Sequence, residues 1–152
     1  MIVPSSGLTF RSYGTGAKPI ITGFQTQTGW TNVSGNICSA TTTNATDSLN
    51  MVLINGVVAH KARYPNSNYL KFTSSTSNSI TGSLSGIPNY TGFQVVIRPV
   101  PWINDISNVA SQSGGLINLA STLTYPPSAG NGYFFQNHPS LVDTLNEFSF
   151  ND

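Results

Sequence analysis

The stretch NMVLINGVVAH, residues 50–60, contains two short apolar runs on either side of the dipeptide Asn55-Gly56. An Asn-Gly pair between runs of β-branched residues is typical of a two-residue β-hairpin, because both turn positions need a positive φ. The two runs are short, and their apolar residues do not follow helical spacing. The stretch therefore predicts two antiparallel strands joined by a tight turn.

Short apolar segments of the same kind recur along the chain, and clusters of Gly, Pro, Asn and Ser separate them. They lie at residues 8–13, 19–24, 68–73, 92–100, 115–121 and 132–136. The sequence therefore predicts an all-β fold, an antiparallel β-barrel or β-sandwich, with one short helix near residues 139–145. In this helix Asn137 or His138 would be the cap and Pro139 the first helical residue.

In the segment GFQVVIRPV the strand period of two puts alternate side chains on opposite faces. One face holds Phe93, Val95 and Ile97, and the other holds Gln94, Val96 and Arg98. Pro99 and Pro101 bracket the end of this strand, where neither can donate a ladder hydrogen bond.

The composition limits the classes of function that fit. Only 7% of the 152 residues are charged and the net charge is +1, so no electrostatic footprint for nucleic acid or an anionic membrane is expected. No stretch approaches the ~20 apolar residues of a membrane span. Ser, Thr, Asn and Gln fill the gaps between apolar runs, as in secreted and cell-surface bacterial proteins. We expect an extracellular or cell-surface protein whose signal peptide lies outside this chain, because MIVPSSGLTF lacks a basic start and a long apolar run.

Cys38 is the single cysteine, so it can form neither an intrachain disulfide nor a zinc site built on cysteines. We expect it to be a small buried apolar residue. A calcium site built from Asp47, Asp105 or Asp152 with amide and backbone oxygens stays open. Otherwise no cofactor is predicted.

The segment GYFFQNHPSLVDTLNEFSF holds His138, Asp143 and Glu147. The predicted helix contains Asp143, and Glu147 begins the strand after it. Two carboxylates could serve glycoside hydrolysis at a separation of roughly 5–10 Å. The alternative is a structural corner in which Asp143 accepts backbone N–H bonds and Glu147 meets Arg63 or Arg98. The structural alternative is favoured, because a chain with few charges tends to use each one in an internal bond, and no catalytic residue is predicted.

Four segments carry a resemblance to a known family. The run LTFRSYGTGAKPIITGF looks like a coil of the bacterial right-handed parallel β-helix proteins, which are pectate-lyase-like. INGVVAHKARYPNSNYL, TGFQVVIRPVPW and the corner segment resemble, in order, a β-rich domain inserted early in such helices. The chain departs from the family at the corner, which usually reads Gly-Glu-Trp and here reads Asn146-Glu147-Phe148.

The resemblance implies that residues 1–24 are a partial β-helix rung or edge strands and that residues 25–152 are the inserted domain. In that family, which includes polysaccharide lyases and glycosidases, the long face of the β-helix usually carries the chemistry. The chain is then expected to be a non-catalytic accessory domain with a parent β-helix domain and a polysaccharide as partners, and its predicted function is carbohydrate binding. The alternative is a purely structural insert or an adhesin module that shapes the groove and binds no ligand.

Carbohydrate binding requires aromatic rings, which pack on the C–H faces of sugars, and polar groups, which bond to their hydroxyls. The candidate rings are Trp30, Tyr64, Tyr69, Tyr90, Trp102 and Tyr125, and the candidate polar groups are Arg63, Asn66, Asn68 and Gln94. Tyr64 and Tyr69 are the better candidates, because they flank a Pro-Asn-Ser-Asn loop where neither strand pattern requires burial. Each ring could instead fill the core, and Trp102 could be a core plug.

The strands of residues 8–24 would have unpaired backbone groups, because the coil that should follow them is missing. They could fold back onto the barrel beside residues 147–150, or they could pair with another molecule. Both termini flank the same junction, so we expect them to lie close together.

Overall fold

The computed structural model describes residues 13–18, 20, 22–42, 49, 51–84 and 88–150. Two compact units make up the chain, Met1–Thr43 and Asn44–Asp152. The boundary between them follows residue 43, whereas the sequence predicts a boundary after residue 24. Most of the predicted rung and both chain ends lie outside the described residues.

The described part of the first unit contains a hairpin of two strands, β1 (Thr31–Ser34) and β2 (Ile37–Ser39). Gly35 takes a φ of 54° in its turn, a conformation that glycine adopts at little cost. Every residue of both strands is exposed, and this includes Cys38. The prediction of a buried Cys38 is therefore wrong, because the residues on both faces of this hairpin are exposed.

The second unit contains a further ten strands and one 3₁₀ helix among its described residues. They are β3 (Val52–Ile54), β4 (Val57–Lys61), β5 (Arg63–Tyr64), β6 (Leu70–Ser75), β7 (Ser79–Gly82), β8 (Gln94–Val100), β9 (Ile103–Ser113), β10 (Leu116–Leu119), β11 (Gly132–Gln136), the 3₁₀ helix (Pro139–Leu141) and β12 (Glu147–Phe148). The all-β prediction is confirmed.

Six of these strands close into an antiparallel barrel in the order β6-β7-β10-β9-β8-β11. β11 completes the ring, because Tyr133 pairs with Ile97 of β8 and with Leu70 of β6. The C-terminal end of β11 pairs with β5, so β5 and β6 both lie along β11 and residues 65–69 form a loop between them. Closure leaves the barrel without a free edge.

The barrel core follows the predicted alternation. Phe93, Val95 and Ile97 are buried in the core. On the opposite face of β8 Arg98 is exposed, whereas Val96 is buried outside the core cluster. The largest buried rings of this core belong to Phe72, Tyr90, Tyr133 and Phe135. The core is thus rich in aromatic side chains, which bury more area per residue than aliphatic ones.

A smaller sheet has the order β12-β4-β3. β3 and β4 form the hairpin predicted from the sequence, with φ values of 51° at Asn55 and 80° at Gly56. Positive φ at both turn residues is the signature of a type I′ turn. Glu147 begins β12 as predicted and pairs with His60 of β4 in a parallel arrangement.

The corner that follows β11 contains the 3₁₀ helix in place of the longer helix predicted there. His138 is its cap, because its Nδ1 accepts the N–H of Ser140 at 3.2 Å. The helix is short because Val142 leaves helical geometry at a ψ of 88°, so Asp143 lies beyond it. Within the described residues, no helix has the length and apolarity needed to cross a bilayer.

Candidate functional site

A surface groove of about 470 Å³ lies where β4, β5 and β11 meet the corner. Its lining combines amide, hydroxyl and charged groups with the apolar side chains of Phe134 and Leu145. The polar residues that line it are His60, Lys61, Arg63, Asn66, Gln136, Thr144 and Glu147. Of the candidate residues predicted from the sequence, Arg63 and Asn66 line this groove directly.

Arg63 is held in one position by the loop and by an aromatic ring. Its Nε donates to the carbonyl of Pro65 at 2.9 Å, and an Nη donates to the carbonyl of Asn68. The guanidinium carbon lies 3.7 Å from the ring centroid of Phe134, a distance at which a cation and a π system attract. Partial burial lowers the pKa of Arg63 from its usual value.

Tyr69 lies against the same pair of side chains and remains partly accessible. Its ring meets the Phe134 ring edge-on with centroids 5.5 Å apart, and the Arg63 guanidinium carbon is 5.6 Å from its centroid. The side chain is 37% exposed. Arg63, Tyr69 and Phe134 therefore form one packed group, which we call the aromatic platform.

Gly132 gives the Tyr69 ring the space it occupies. A Cβ atom on Gly132 would lie 2.5 Å from the Cβ of Tyr69 and 2.7 Å from its Cγ, both well inside van der Waals contact. Tyr69 therefore covers the bare backbone of the first residue of β11, as aromatic residues do beside strand glycines.

Asn66 connects the loop to the corner across the groove. Its Nδ2 donates to Asp143 Oδ1 at 2.9 Å and to Thr144 Oγ1 at 3.0 Å. Glu147 Oε2 in turn accepts the backbone N–H groups of Asp143 at 3.1 Å and Thr144 at 3.0 Å. These bonds fix the separation of the two groove walls.

The predicted roles of the two carboxylates are partly wrong. Backbone N–H groups bind to Glu147 and not to Asp143, because the chain turns at Thr144 and brings its own N–H groups onto the Glu147 side chain. The predicted ion pair of Glu147 with Arg63 or Arg98 is absent among the described residues. Arg63 binds the loop carbonyls, and Arg98 Nε donates to the carbonyl of Pro101 at 3.0 Å.

His138 and its neighbour Asn137 also serve the corner. The imidazole of His138 stacks on Phe93 with centroids 3.7 Å apart, and burial lowers its pKa. Asn137 Oδ1 accepts the N–H of Phe150, and its Nδ2 donates to the carbonyl of Phe150, both at 2.8 Å. The side chain of Asn137 thus pairs with Phe150 as a neighbouring strand would.

The structure separates the candidate rings of the second unit. Tyr90 is buried and stacks on Phe135 at 3.9 Å, so its ring cannot face a ligand, and the candidacy of Tyr90 is wrong. It is buried because it packs in the barrel core. Tyr64 is half-buried, packs against this core and lies 6.0 Å from Tyr90. Tyr125 is exposed outside the groove lining.

Both tryptophans are exposed, and Trp102 is not among the residues that line this groove. Trp102 is 75% exposed, which excludes the core-plug alternative. It follows β8, and roughly 20 Å of extended chain separates it from Val96, the residue that pairs with Phe134. Trp30 belongs to the first unit, where it is 56% exposed and its indole N–H donates to the carbonyl of Gln27 at 3.0 Å.

The remaining polar candidates differ in their hydrogen-bond partners. Asn68 contributes its carbonyl to Arg63 from a left-handed conformation with a φ of 63°. Gln94 accepts a hydrogen bond from Gln136 at 3.2 Å and so contacts a groove residue. Asp105 uses both carboxylate oxygens on Thr124, at 2.7 and 2.8 Å.

The calcium prediction has no support in the described residues. They contain no group of three or more His, Cys, Asp or Glu side chains placed to hold a metal ion. The other two predicted ligands, Asp47 and Asp152, lie outside the described residues.

Sequence reasoning did not identify Phe134 and Gln136 of the groove or Gly132 beside Tyr69. The first two had a usable signal, because the strand period puts Phe134 and Gln136 on the face opposite the buried Tyr133 and Phe135. Gly132 had no such signal in the sequence, because it matters through its contact with Tyr69, which is distant in sequence.

Comparison with protein-family models, curated proteins and solved structures finds no match for this chain. The resemblance to β-helix proteins therefore rests on four segments of the sequence alone.

Proposed function

We propose that this chain is a non-catalytic carbohydrate-binding domain and that its ligand site is the groove beside the aromatic platform. The observation that carries the proposal is the platform itself. The accessible Tyr69 ring packs against Arg63 and Phe134, which both line the groove, so little side-chain entropy remains to be lost when a ligand stacks on it.

The chemistry of the groove fits a sugar better than an apolar ligand. A pyranose ring offers C–H faces to an aromatic side chain and hydroxyl groups to amides and charged groups. Phe134 and Leu145 line the groove and can make the first kind of contact, and the exposed Tyr69 ring lies against Phe134 just outside this lining. Gln136, Lys61 and His60 are groove residues that can supply the second kind.

The absence of catalysis is part of the proposal, and the use of the acidic side chains supports it. Asp143 accepts from Asn66 and Thr144, and Glu147 accepts two backbone N–H groups. These bonds use Oδ1 of Asp143 and Oε2 of Glu147, and they hold the corner together. We therefore assign both carboxylates a structural role.

Affinity gel electrophoresis against a panel of soluble plant and algal polysaccharides tests the binding function. We expect at least one polysaccharide to retard the protein. The same incubations, followed for reducing ends and for unsaturated products, are expected to show no turnover. Turnover that Asp143→Asn or Glu147→Gln abolishes would contradict the non-catalytic assignment, and the lack of any retarding glycan would contradict the binding function.

A structural insert or adhesin module is the second candidate function. One observation favours it. The side chains of Asn66, Asn137 and Glu147 all form hydrogen bonds within the protein. In that case the domain would shape the surface of a larger secreted β-helix protein at the cell exterior. The polysaccharide panel separates the two candidate functions, because none of the polysaccharides should slow the migration of a purely structural domain.

A further inference from the structure

The hairpin of β3 and β4 exposes an unusual amount of apolar surface. Met51, Leu53, Ile54, Val57 and Val58 have exposed fractions between 38% and 55%. They lie on both faces of the hairpin, because cross-strand partners share a face and neighbouring pairs alternate. Leu53 and Val58 form one pair, and Ile54 and Val57 form the next. β12 adds a third strand along β4 but leaves these side chains exposed, so this apolar surface is available to a partner.

The outer edge of β3 has no strand beside it in the part of the chain that the structure describes. The sheet order is β12-β4-β3, and no described residue pairs with the second edge of β3. In a two-residue hairpin the pair beside the turn, here Ile54 and Val57, exchanges hydrogen bonds, and the pattern then alternates. The N–H and C=O groups of Leu53, and by the same alternation those of Met51, therefore point away from β4.

None of the usual devices protects this edge. Exposed edges in soluble proteins commonly carry charged side chains, proline or a bulge, which prevent pairing with another chain. Residues 51–59 contain no charged residue and no proline, and the register of β3 with β4 has no shift.

The edge is best complemented by a strand like itself, which is uncharged and apolar on both faces. No other described strand of the chain combines a free edge with these properties. The barrel strands use both edges, and β5 and β12 are each two residues long. The strands β1 and β2 also have a free edge and no charge, but they contain polar residues, which are Thr, Asn and Ser in β1 and Ser in β2. Two copies of β3 can approach without like-charge repulsion, and a two-fold axis satisfies the same patch on both copies.

We propose that β3 pairs antiparallel with β3 of a second copy of this chain, with the two-fold axis at Val52. This register places Met51 of each copy opposite Leu53 of the other, so that all four outward-pointing residues exchange backbone hydrogen bonds. The two small sheets then join into one continuous sheet. The proposal does not depend on the function of the groove.

Sedimentation equilibrium on the intact chain tests the association. We expect the mass to rise from monomer to dimer with concentration, and Leu53→Lys to weaken the dimer by at least about tenfold, since an edge lysine opposes strand pairing. Ile106→Lys is the matched control, because Ile106 is also exposed but lies on the barrel strand β9. It should leave the dimer unchanged.

An engineered disulfide between two copies tests the proposed register of the β3–β3 pair. Val52 would face its own copy across a non-hydrogen-bonded pair, where Cα atoms are about 4.5 Å apart, within the range for a disulfide. In a Cys38→Ser background, Val52→Cys is expected to form a covalent dimer on mild oxidation, and Ile106→Cys is not. The proposal is overturned if the chain remains monomeric at millimolar concentration, if Leu53→Lys associates like the wild type, or if Val52→Cys cross-links no faster than Ile106→Cys.

Discussion

At the scale of single residues, Gly132 determines where the Tyr69 ring lies. The strand conformation of Gly132 does not itself require glycine, since its φ is not positive. What requires it is the Tyr69 side chain, whose nearest atom lies 2.5 Å from the position of an added Cβ. The residue is thus a steric determinant of the aromatic platform.

Replacement of Gly132 by alanine should therefore displace Tyr69. We expect Gly132→Ala to lower the free energy of unfolding by about 1–3 kcal/mol, the usual cost of overpacking, and to weaken glycan binding. Urea unfolding measures the first effect. Gly23→Ala is the control, because an added Cβ there meets no atom within 4 Å. A Gly132→Ala variant as stable as Gly23→Ala, with unchanged affinity, would contradict the steric role.

Asn137 supports the corner through its side chain and its backbone. Its φ of 59° is one that glycine and asparagine adopt readily, so Asn137→Gly removes the two bonds to Phe150 without adding strain. We expect this variant to lose about 1–3 kcal/mol of unfolding free energy, because two partly buried backbone groups lose their partner.

Asn146→Gly provides the matched control for Asn137. Asn146 has a similar φ of 63°, and its hydrogen bond to His60 uses the backbone carbonyl, which glycine retains. Unfolding in urea should show a change within about 0.5 kcal/mol for this variant. Equal losses for the two variants would mean that the Asn137 side chain contributes nothing.

At the scale of elements, the 3₁₀ helix makes stability depend on pH through its cap. Neutral His138 accepts the Ser140 N–H at Nδ1, and burial lowers the pKa of its imidazole. The unfolded chain therefore binds a proton at a higher pH than the folded chain does. The stabilisation is complete above the unfolded pKa of about 6.5 and is lost as the pH falls from there through the lower folded value.

We expect the unfolding free energy to decrease between roughly pH 7 and pH 5, a window set by the ordinary histidine pKa. His138→Asn should flatten this decrease, because asparagine is a good N-cap that does not titrate. His60→Gln changes the other histidine, which is exposed, and should leave the slope unchanged. Urea titrations at several pH values measure these slopes, and a wild-type slope retained in His138→Asn would rule out the cap as its source.

The elements also differ in how well the sequence predicted them. The β3–β4 hairpin and the alternation of β8 were predictable, because a turn dipeptide and a period of two are local signals. The end of the 3₁₀ helix before Val142 could not be predicted, because hydrogen bonds from the side chains of Asn66 and Glu147 hold the corner. Local helix signals cannot register such distant partners.

At the scale of the whole molecule, the all-β class followed from the sequence, but the groove did not. Its walls come from Arg63 and Asn66, from β11, and from Thr144 to Glu147, segments that meet only after the barrel has closed. Arg63 in β5 and Asn66 in the loop were identifiable as polar residues around the Pro-Asn-Ser-Asn segment. Phe134 became part of the site only when β11 was placed between β5 and β8.

Isothermal titration calorimetry tests directly whether the aromatic platform binds a glycan. The ligand is the polysaccharide that slows the protein most in affinity electrophoresis. The wild type, Tyr69→Ala and Trp102→Ala are compared, because both rings are exposed but only Tyr69 belongs to the platform. Loss of one stacking ring costs about 1–3 kcal/mol in nucleic-acid modules, so Tyr69→Ala should bind about 5–100-fold more weakly, while Trp102→Ala binds like the wild type. Unchanged affinity in Tyr69→Ala, or a loss confined to Trp102→Ala, would contradict the account.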